Sequence, residues 1–182
     1  MGTSGSLSDL TDRTLQSRLH AYCRADEDHW SFRGNAVRHH AHAYFQYPAM
    51  MVPQMVGDLL TAIAEKHSCY RHVYDPFSGS GTALTEAMMR GLDFTGQDIN
   101  PLAVLLCQAK TIPFFEAALK DKVASTVETA SADVARTIEA TFPGRQKWFS
   151  TAIAIKLSRL RRAIRLETCL WARRFLWVAL AE

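Results

Sequence analysis

The stretch Asp75-Pro-Phe-Ser-Gly-Ser-Gly-Thr82, followed by Gly96-Gln-Asp-Ile-Asn-Pro101, constrains the fold of this chain more than any other feature. His72-Val-Tyr-Asp-Pro-Phe77 is short, aromatic and β-branched and ends in Gly/Ser punctuation, the pattern of a buried parallel strand. Gly79 and Gly81 can take backbone angles closed to other residues, so the chain can turn sharply there and let a ligand approach its backbone. A helix is expected to open at Ser80 or Gly81, with Leu84, Ala87 and Met88 at helical spacing and Gly91 placed to end it. Leu92–Asp98 reads as the next strand, with Asp98 at its carboxyl end, where ligands bind in open α/β sheets. Asn100 and Pro101 then fit the N-cap and first residue of another helix.

A helix N-terminus at a glycine turn offers N–H groups and a positive dipole end to a carboxylate or phosphate. A carboxylate at the tip of the following strand can accept two hydrogen bonds from ribose hydroxyls. A glycine pair alone is usually only a turn; here it follows a strand, opens a helix and precedes a strand-tip acid, which is the context of a nucleotide-type cofactor site. Together these residues, through Leu102 and Ala103, resemble the S-adenosylmethionine site of the DNA amino-methyltransferases, which methylate the exocyclic amino group of adenine or cytosine. NAD-type loops space their glycines differently, and the position of their third glycine is Leu84 in this chain. The resemblance implies that Asp75, Gly79, Ser80, Gly81 and Thr82 lie about the methionine end of the cofactor, and it counts Phe77 and Asn100 among the cofactor-binding residues without a separate role. It implies that Asp98 holds the ribose and that Ile99 packs on the adenine.

The segment from Tyr47 and Pro48 to Leu60 is similar to the one that precedes the glycine loop in members with circularly shifted motif order. There a proline and the following turn close over the methionine carboxylate. Pro53 is a good helix start, and Val56, Leu59, Leu60 and Ile63 form an apolar stripe. The resemblance covers about residues 44–111.

The family's second motif is Asp, Asn or Ser followed by Pro-Pro and Tyr or Phe; it contacts the target amino group and stacks on the extruded base. This sequence has six prolines, at 48, 53, 76, 101, 113 and 143, and no Pro-Pro pair. No catalytic residue is therefore assigned, and no later strand is evident after residue 111. The expectation is the cofactor-binding half of such an enzyme, inactive alone. Its partner half could be a second polypeptide, the gene could be truncated, or the chain could be a fragment of a longer protein.

Composition sets outer limits. A chain of 182 residues can bury a real core. A formal charge of +3 permits nucleic-acid binding without arguing for it. Cys23, Cys69, Cys107 and Cys169 are far apart, with no Cys-x-x-Cys, and read as reduced intracellular thiols. No signal peptide or membrane-spanning run is evident, so a cytoplasmic protein is expected. Residues 1–43 form an N-terminal segment, loose over 1–9, with a short helix over 10–23 carrying Leu10, Leu15 and Leu19. His39, His40 and His42 lack an acidic or Cys partner at zinc-type spacing, so they are read as a loop near the cofactor mouth and in reach of DNA, with no metal.

Residues 112–182 are expected to be helical. Leu119, Val123, Val127, Val134 and Ile138 suggest one stripe over 114–141, broken by Pro143-Gly144. Ser150 can cap the next helix, with Ile153, Leu157, Leu160 and Ile164 on one face and Arg159, Arg162 and Arg165 on the other. Those arginines are either a solvated helix face or phosphate contacts to DNA. A last helix over about 168–180 carries Trp171, Phe175 and Trp177. The fold expected is thus α/β, an incomplete Rossmann-like methyltransferase domain with a C-terminal helical region. Alternatives left standing are an RNA amino-methyltransferase and a non-catalytic partner or remnant. Restriction–modification, phage defence and stand-alone epigenetic roles all remain compatible.

Overall fold

The computed structural model describes residues 7–33, 39–66, 69–112 and 115–182. The expectations for residues 1–6, for the Leu10 side chain and for a helix start at 114 lie outside them. The chain divides into two compact units, Met1–Cys107 and Gln108–Glu182.

The first unit is built around a parallel β-α-β element. Strand β1 (His72–Asp75) pairs with β2 (Asp93–Gly96) in the register His72↔Asp93 to Asp75↔Gly96, and helix α3 (Thr82–Met89) connects them. Residues Thr82–Ala87 of α3 are all buried, because the helix lies against both strands and against α2 (Pro53–Lys66). Small residues allow this: a Cβ at Gly57 of α2 would meet the Arg90 guanidinium and the Glu86 carboxylate. Helix α3 ends as its sequence suggests. Gly91 takes φ +64, its N–H donates to Met88 O, and Leu92 N–H donates to Ala87 O, which satisfies two orphan carbonyls. Pro53 stands at the first position of α2, with Val56 and Ala62 buried.

Two expectations for this unit change. The strand expected to be buried is parallel but half-open: residues alternate between exposed and half-buried, and Tyr74 is 59% exposed. The sheet has two strands among the described residues, with α3 against it, so alternate side chains of β1 reach solvent. The N-terminal helix α1 is longer than expected, Leu7–Ala25, so residues 7–9 are helical and not loose. It packs along α2, where Arg18 pairs with Glu65 at 2.6 Å. A one-turn 3-10 helix at His29–Ser31 carries an aromatic cluster in which Tyr22 stacks on His29 at 4.7 Å and Trp30 sits edge-on to both. His29 Nε2 is 2.9 Å from Asp58 of α2, and Trp30 Nε1 donates to Cys23 Sγ. Helix α4 (Pro101–Lys110) then carries the chain into the second unit.

The second unit packs three helices, α5 (Glu116–Ala132), α7 (Thr151–Leu166) and α8 (Leu170–Ala181), with a single turn α6 (Arg145–Trp148) before α7. The stripe expected over 114–141 is corrected twice. Helix α5 ends at Ala132, where Asp133 turns extended at φ −72, ψ 110, and residues 133–142 run as an irregular strap. Its buried face is Thr126 and Ala130, with Leu119 and Lys122 half-buried beside them; Val127 is 51% exposed and Val134 85%. Steps of four residues drift roughly 40° each around a helix, so from Leu119 they carry Val123 and Val127 off the buried face, whereas from Lys122, roughly 60° to the other side, the same steps bring Thr126 and Ala130 onto it.

Ser150 does cap α7, its Oγ accepting from Ile153 N at 3.3 Å. Ala154, Ser158, Ala163 and Ile164 are buried; Ile153, expected on that face, is 44% exposed because it lies on the first turn. The arginines of α7 hold the strap. Arg159 Nε donates to Ala135 O at 3.1 Å, and Arg162 Nε donates to Asp133 Oδ2 at 2.6 Å. Arg165 Nη1 donates to Glu139 Oε2 at 3.1 Å, and Ser158 Oγ accepts from Glu139 N. The Arg162 guanidinium, followed by the Ala135 N–H, holds the Asp133 carboxyl below the usual carboxylate range. Burial would raise the Glu167 carboxyl, yet the Cys169 N–H and Lys122 ammonium outweigh it and hold it low.

Candidate cofactor site

The site lies at the carboxyl ends of β1 and β2. Gly79 sits at φ +49 and Gly81 at φ +73, left-handed angles that cost other residues roughly 1–2 kcal/mol each. Gly81 is the N-cap of α3, its N–H donating to Ser78 O at 2.7 Å while its carbonyl accepts from Thr85 N. Ser78 N–H donates to Gln97 O and Gln97 N–H to Asp75 O, which ties the loop to the end of β2. The approach is close: a Cβ at Gly96 would meet Ser78 Oγ and the Phe94 ring.

Asp98 fastens the loop. Its Oδ2 accepts from Gly79 N at 2.8 Å and its Oδ1 from Asn100 N at 2.8 Å. These backbone donors, Asn100 first, hold the Asp98 carboxyl below the usual carboxylate range. Asn100 works on both sides: its Oδ1 accepts from Leu102 N at 3.0 Å, capping α4, and its Nδ2 donates to Tyr47 OH at 3.0 Å. The Tyr47 ring in turn lies against Gly79, 3.7 Å from where a Cβ would stand. Tyr47, Gly79, Asp98 and Asn100 thus form one connected set. Pro48 is exposed beside them, and Ala49 is held at φ +54, a strained angle for a residue with a Cβ.

The remaining sequence candidates fall into three groups. Ser80 and Thr82 are buried, with their hydroxyls 2.9 Å apart and bonded to each other. Phe77 and Ile99 stand out from the loop, 83% and 99% exposed. Asp75 Oδ1 accepts from Phe77 N at 3.0 Å, whereas its Oδ2 is buried with no hydrogen-bond partner. A buried carboxylate oxygen without a donor is costly, and a donor group presented by a ligand would relieve it.

Sequence reasoning did not find the buried network behind the loop. His42 Nε2 lies 2.9 Å from Glu86 Oε1, and Arg90 Nη1 donates to Glu86 Oε2 at 2.6 Å and to Glu86 O at 3.0 Å. Arg90 Nε donates to Thr61 Oγ1 at 2.8 Å, so α2, α3 and the turn at His40–Ala43 are locked together. The His39–His42 cluster therefore does not act as one group: His42 is buried at 3% exposure while His39 and His40 are exposed. Among the described residues no three His, Cys, Asp or Glu side chains converge as metal ligands. None of their helices is long and apolar enough to cross a membrane.

No family model matches the sequence, and no solved structure matches it. Curated proteins do. The type II methyltransferase M.MvaI of Kocuria varians is 34% identical over 102 residues, 56% of this chain and 22% of that protein. The type II methyltransferase M.MjaII of Methanocaldococcus jannaschii is 33% identical over 72 residues, 39% of this chain and 13% of that protein. The chain thus spans about a fifth of the length of the first of these relatives and less of the second. Over part of its length, the chain is thus similar to type II methyltransferases.

Proposed function

We propose that this chain is the S-adenosylmethionine-binding part of a DNA methyltransferase that acts on an exocyclic amino group. The observation that carries this reading is the connected set Tyr47, Gly79, Asp98 and Asn100 at the carboxyl ends of two parallel strands. It joins the similarity to two type II methyltransferases. Parallel strands with a glycine turn between them are the setting of a Rossmann-like cofactor site.

The residues present fit the group. Asp98 is fixed in orientation by two backbone N–H bonds, and a carboxylate has about four lone-pair sites, so it keeps capacity for ribose hydroxyls. The Asp75 oxygen that lacks a donor suits the cofactor's ammonium group. Exposed Ile99 and Phe77 offer apolar surface to the adenine and the ligand's edge. Pro48 and strained Ala49 lie next to Tyr47, where a turn would close over the carboxylate. The bound cofactor supplies an electrophilic methyl on a sulfonium. This chain's residues bind and orient it, and orientation is itself a large part of the rate of such a transfer. With no Pro-Pro pair in the sequence, the residues that receive the target base are assigned elsewhere, to a second polypeptide or to a longer chain.

Calorimetric titration of the chain with S-adenosylmethionine tests this. Binding is expected, weakened at least tenfold by Asp98→Ala, with no methyl transferred to duplex DNA by the chain alone. Equal binding by the variant would remove Asp98 from the site, and robust methylation by the chain alone would overturn the division of labour.

A further inference from the structure

The two units differ in charge. Residues 108–182 hold 13 Lys and Arg against seven Asp and Glu, whereas residues 1–107 hold eight against eleven. The excess of cations in the second unit is not spread over interchangeable side chains. Arg162 and Arg165 are committed to Asp133 and Glu139 of the strap, and Arg161 lies 3.6 Å from Glu139. Moving these to an outside phosphate would release the strap.

Another set is uncommitted. An open groove of about 500 Å³ runs between the first turns of α7 and the start of the strap, lined by Val134, Arg136, Thr151, Ile155, Lys156 and Arg159. Among the described residues neither Arg136 nor Lys156 has a hydrogen-bond or ion-pair partner, and both are exposed. Arg159 is fixed on the wall by its Nε bond to Ala135 O, which leaves its other N–H groups available. Three cations and the Thr151 hydroxyl therefore face one groove that no carboxylate lines. The floor is Ile155 and exposed Val134, so the groove offers charge and shape but little base-reading chemistry.

The geometry points to this groove as a contact for the sugar-phosphate backbone of duplex DNA, carried by Arg136, Lys156 and Arg159, with Arg162 and Arg165 serving as clamps. The assignment rests on the DNA-methyltransferase reading above. Guanidinium and ammonium groups recognise phosphate without regard to sequence, and each neutralised phosphate releases counterions. Contacts of this kind position a protein on the duplex and leave base reading to other residues.

The test is fluorescence anisotropy of the full 182-residue chain with a labelled duplex across a salt series, beside calorimetry with S-adenosylmethionine. The expected result for the double variant Arg136→Ala/Lys156→Ala is weaker binding and a log–log salt slope shallower by about 1.8, the loss of two phosphate contacts. Lys147→Ala, which removes an exposed cation outside the groove, should keep the parent slope. Circular dichroism of each variant confirms the fold. An unchanged slope in the double variant overturns the assignment. So does equal binding of an RNA duplex, or no DNA binding by a chain that still binds cofactor. The expected DNA result in a chain that binds no cofactor keeps the groove and removes the cofactor reading instead.

Discussion

The glycine loop and the arginine strap are two solutions to one problem, holding an irregular segment in a fixed place. In the loop, one carboxylate is held by main-chain donors, Gly79 N and Asn100 N, and the remaining ties are also main-chain bonds or short side chains. In the strap, the donors are long guanidinium side chains from a neighbouring helix, reaching Asp133, Glu139 and two carbonyls. Main-chain donors have no rotamers to lose and are placed by φ and ψ. Guanidinium forks lose rotamer freedom on each bond and are screened by salt. A ligand site needs the first kind of precision, whereas a surface segment tolerates the second.

The largest effect that could break this comparison lies behind the loop. Glu86→Ala would remove the buried carboxylate that His42 meets at 2.9 Å and deprive Arg90 of its 2.6 Å bond. Removing one member of a buried charged set costs about 3 kcal/mol or more. Urea denaturation of the first unit should show that loss. A change well under 1 kcal/mol would mean that the loop stands on main-chain bonds alone. Gly79→Ala comes next. The added Cβ would make an ordinary contact with Tyr47, so the cost is that of the left-handed angle, about 1–2 kcal/mol. Thermal unfolding should register it, and cofactor affinity should fall as well. Unchanged affinity would show that the loop backbone does not approach the ligand.

The smallest effect sharpens the contrast most. Asp98 and Asp133 both titrate below the ordinary carboxylate range in the folded protein. Each therefore adds stability above about pH 3.9, and that stability is lost as the pH falls through the depressed value. Carboxyl NMR titrations at low salt and at ~1 M salt, where the Debye length is about 3 Å, should separate them. Asp133, held first by the Arg162 guanidinium, should move up toward the ordinary range; Asp98, held by N–H groups, should move less. Equal movement would erase the distinction drawn between loop and strap.

What could be read from the sequence was what depends on neighbours along the chain. Gly79 and Gly81 had to be glycine for their angles, Pro53 and Asn100 mark helix starts by local chemistry, and Ser150 caps by its own side chain. The misjudged features depend on residues far away. His42 meets Glu86 across 44 positions, and no local pattern marks either as buried. The openness of β1 follows from its having, among the described residues, β2 alone as a strand neighbour. The end of α5 is set by Asp133 turning to Arg162, 29 residues on, which outweighs the apolar spacing of Val134 and Ile138. The arginines stand out in the sequence, but their division between clamp and open groove depends on where the strap lies.

The hydrogen bond from Asn100 to Tyr47 spans 53 residues and encloses α2, β1, α3 and β2. It therefore sets an order in time. During synthesis, a chain that has emerged only as far as Met89 carries Tyr47 and the whole glycine turn but neither Asp98 nor Asn100. Gly79 then has no carboxylate to fasten it and Tyr47 nothing to reach. The connected set is complete only when the last of its parts arrives, so on the function proposed above a nascent chain should acquire cofactor affinity in one step, after residue 100 has cleared the ribosome, and not gradually as the strands emerge.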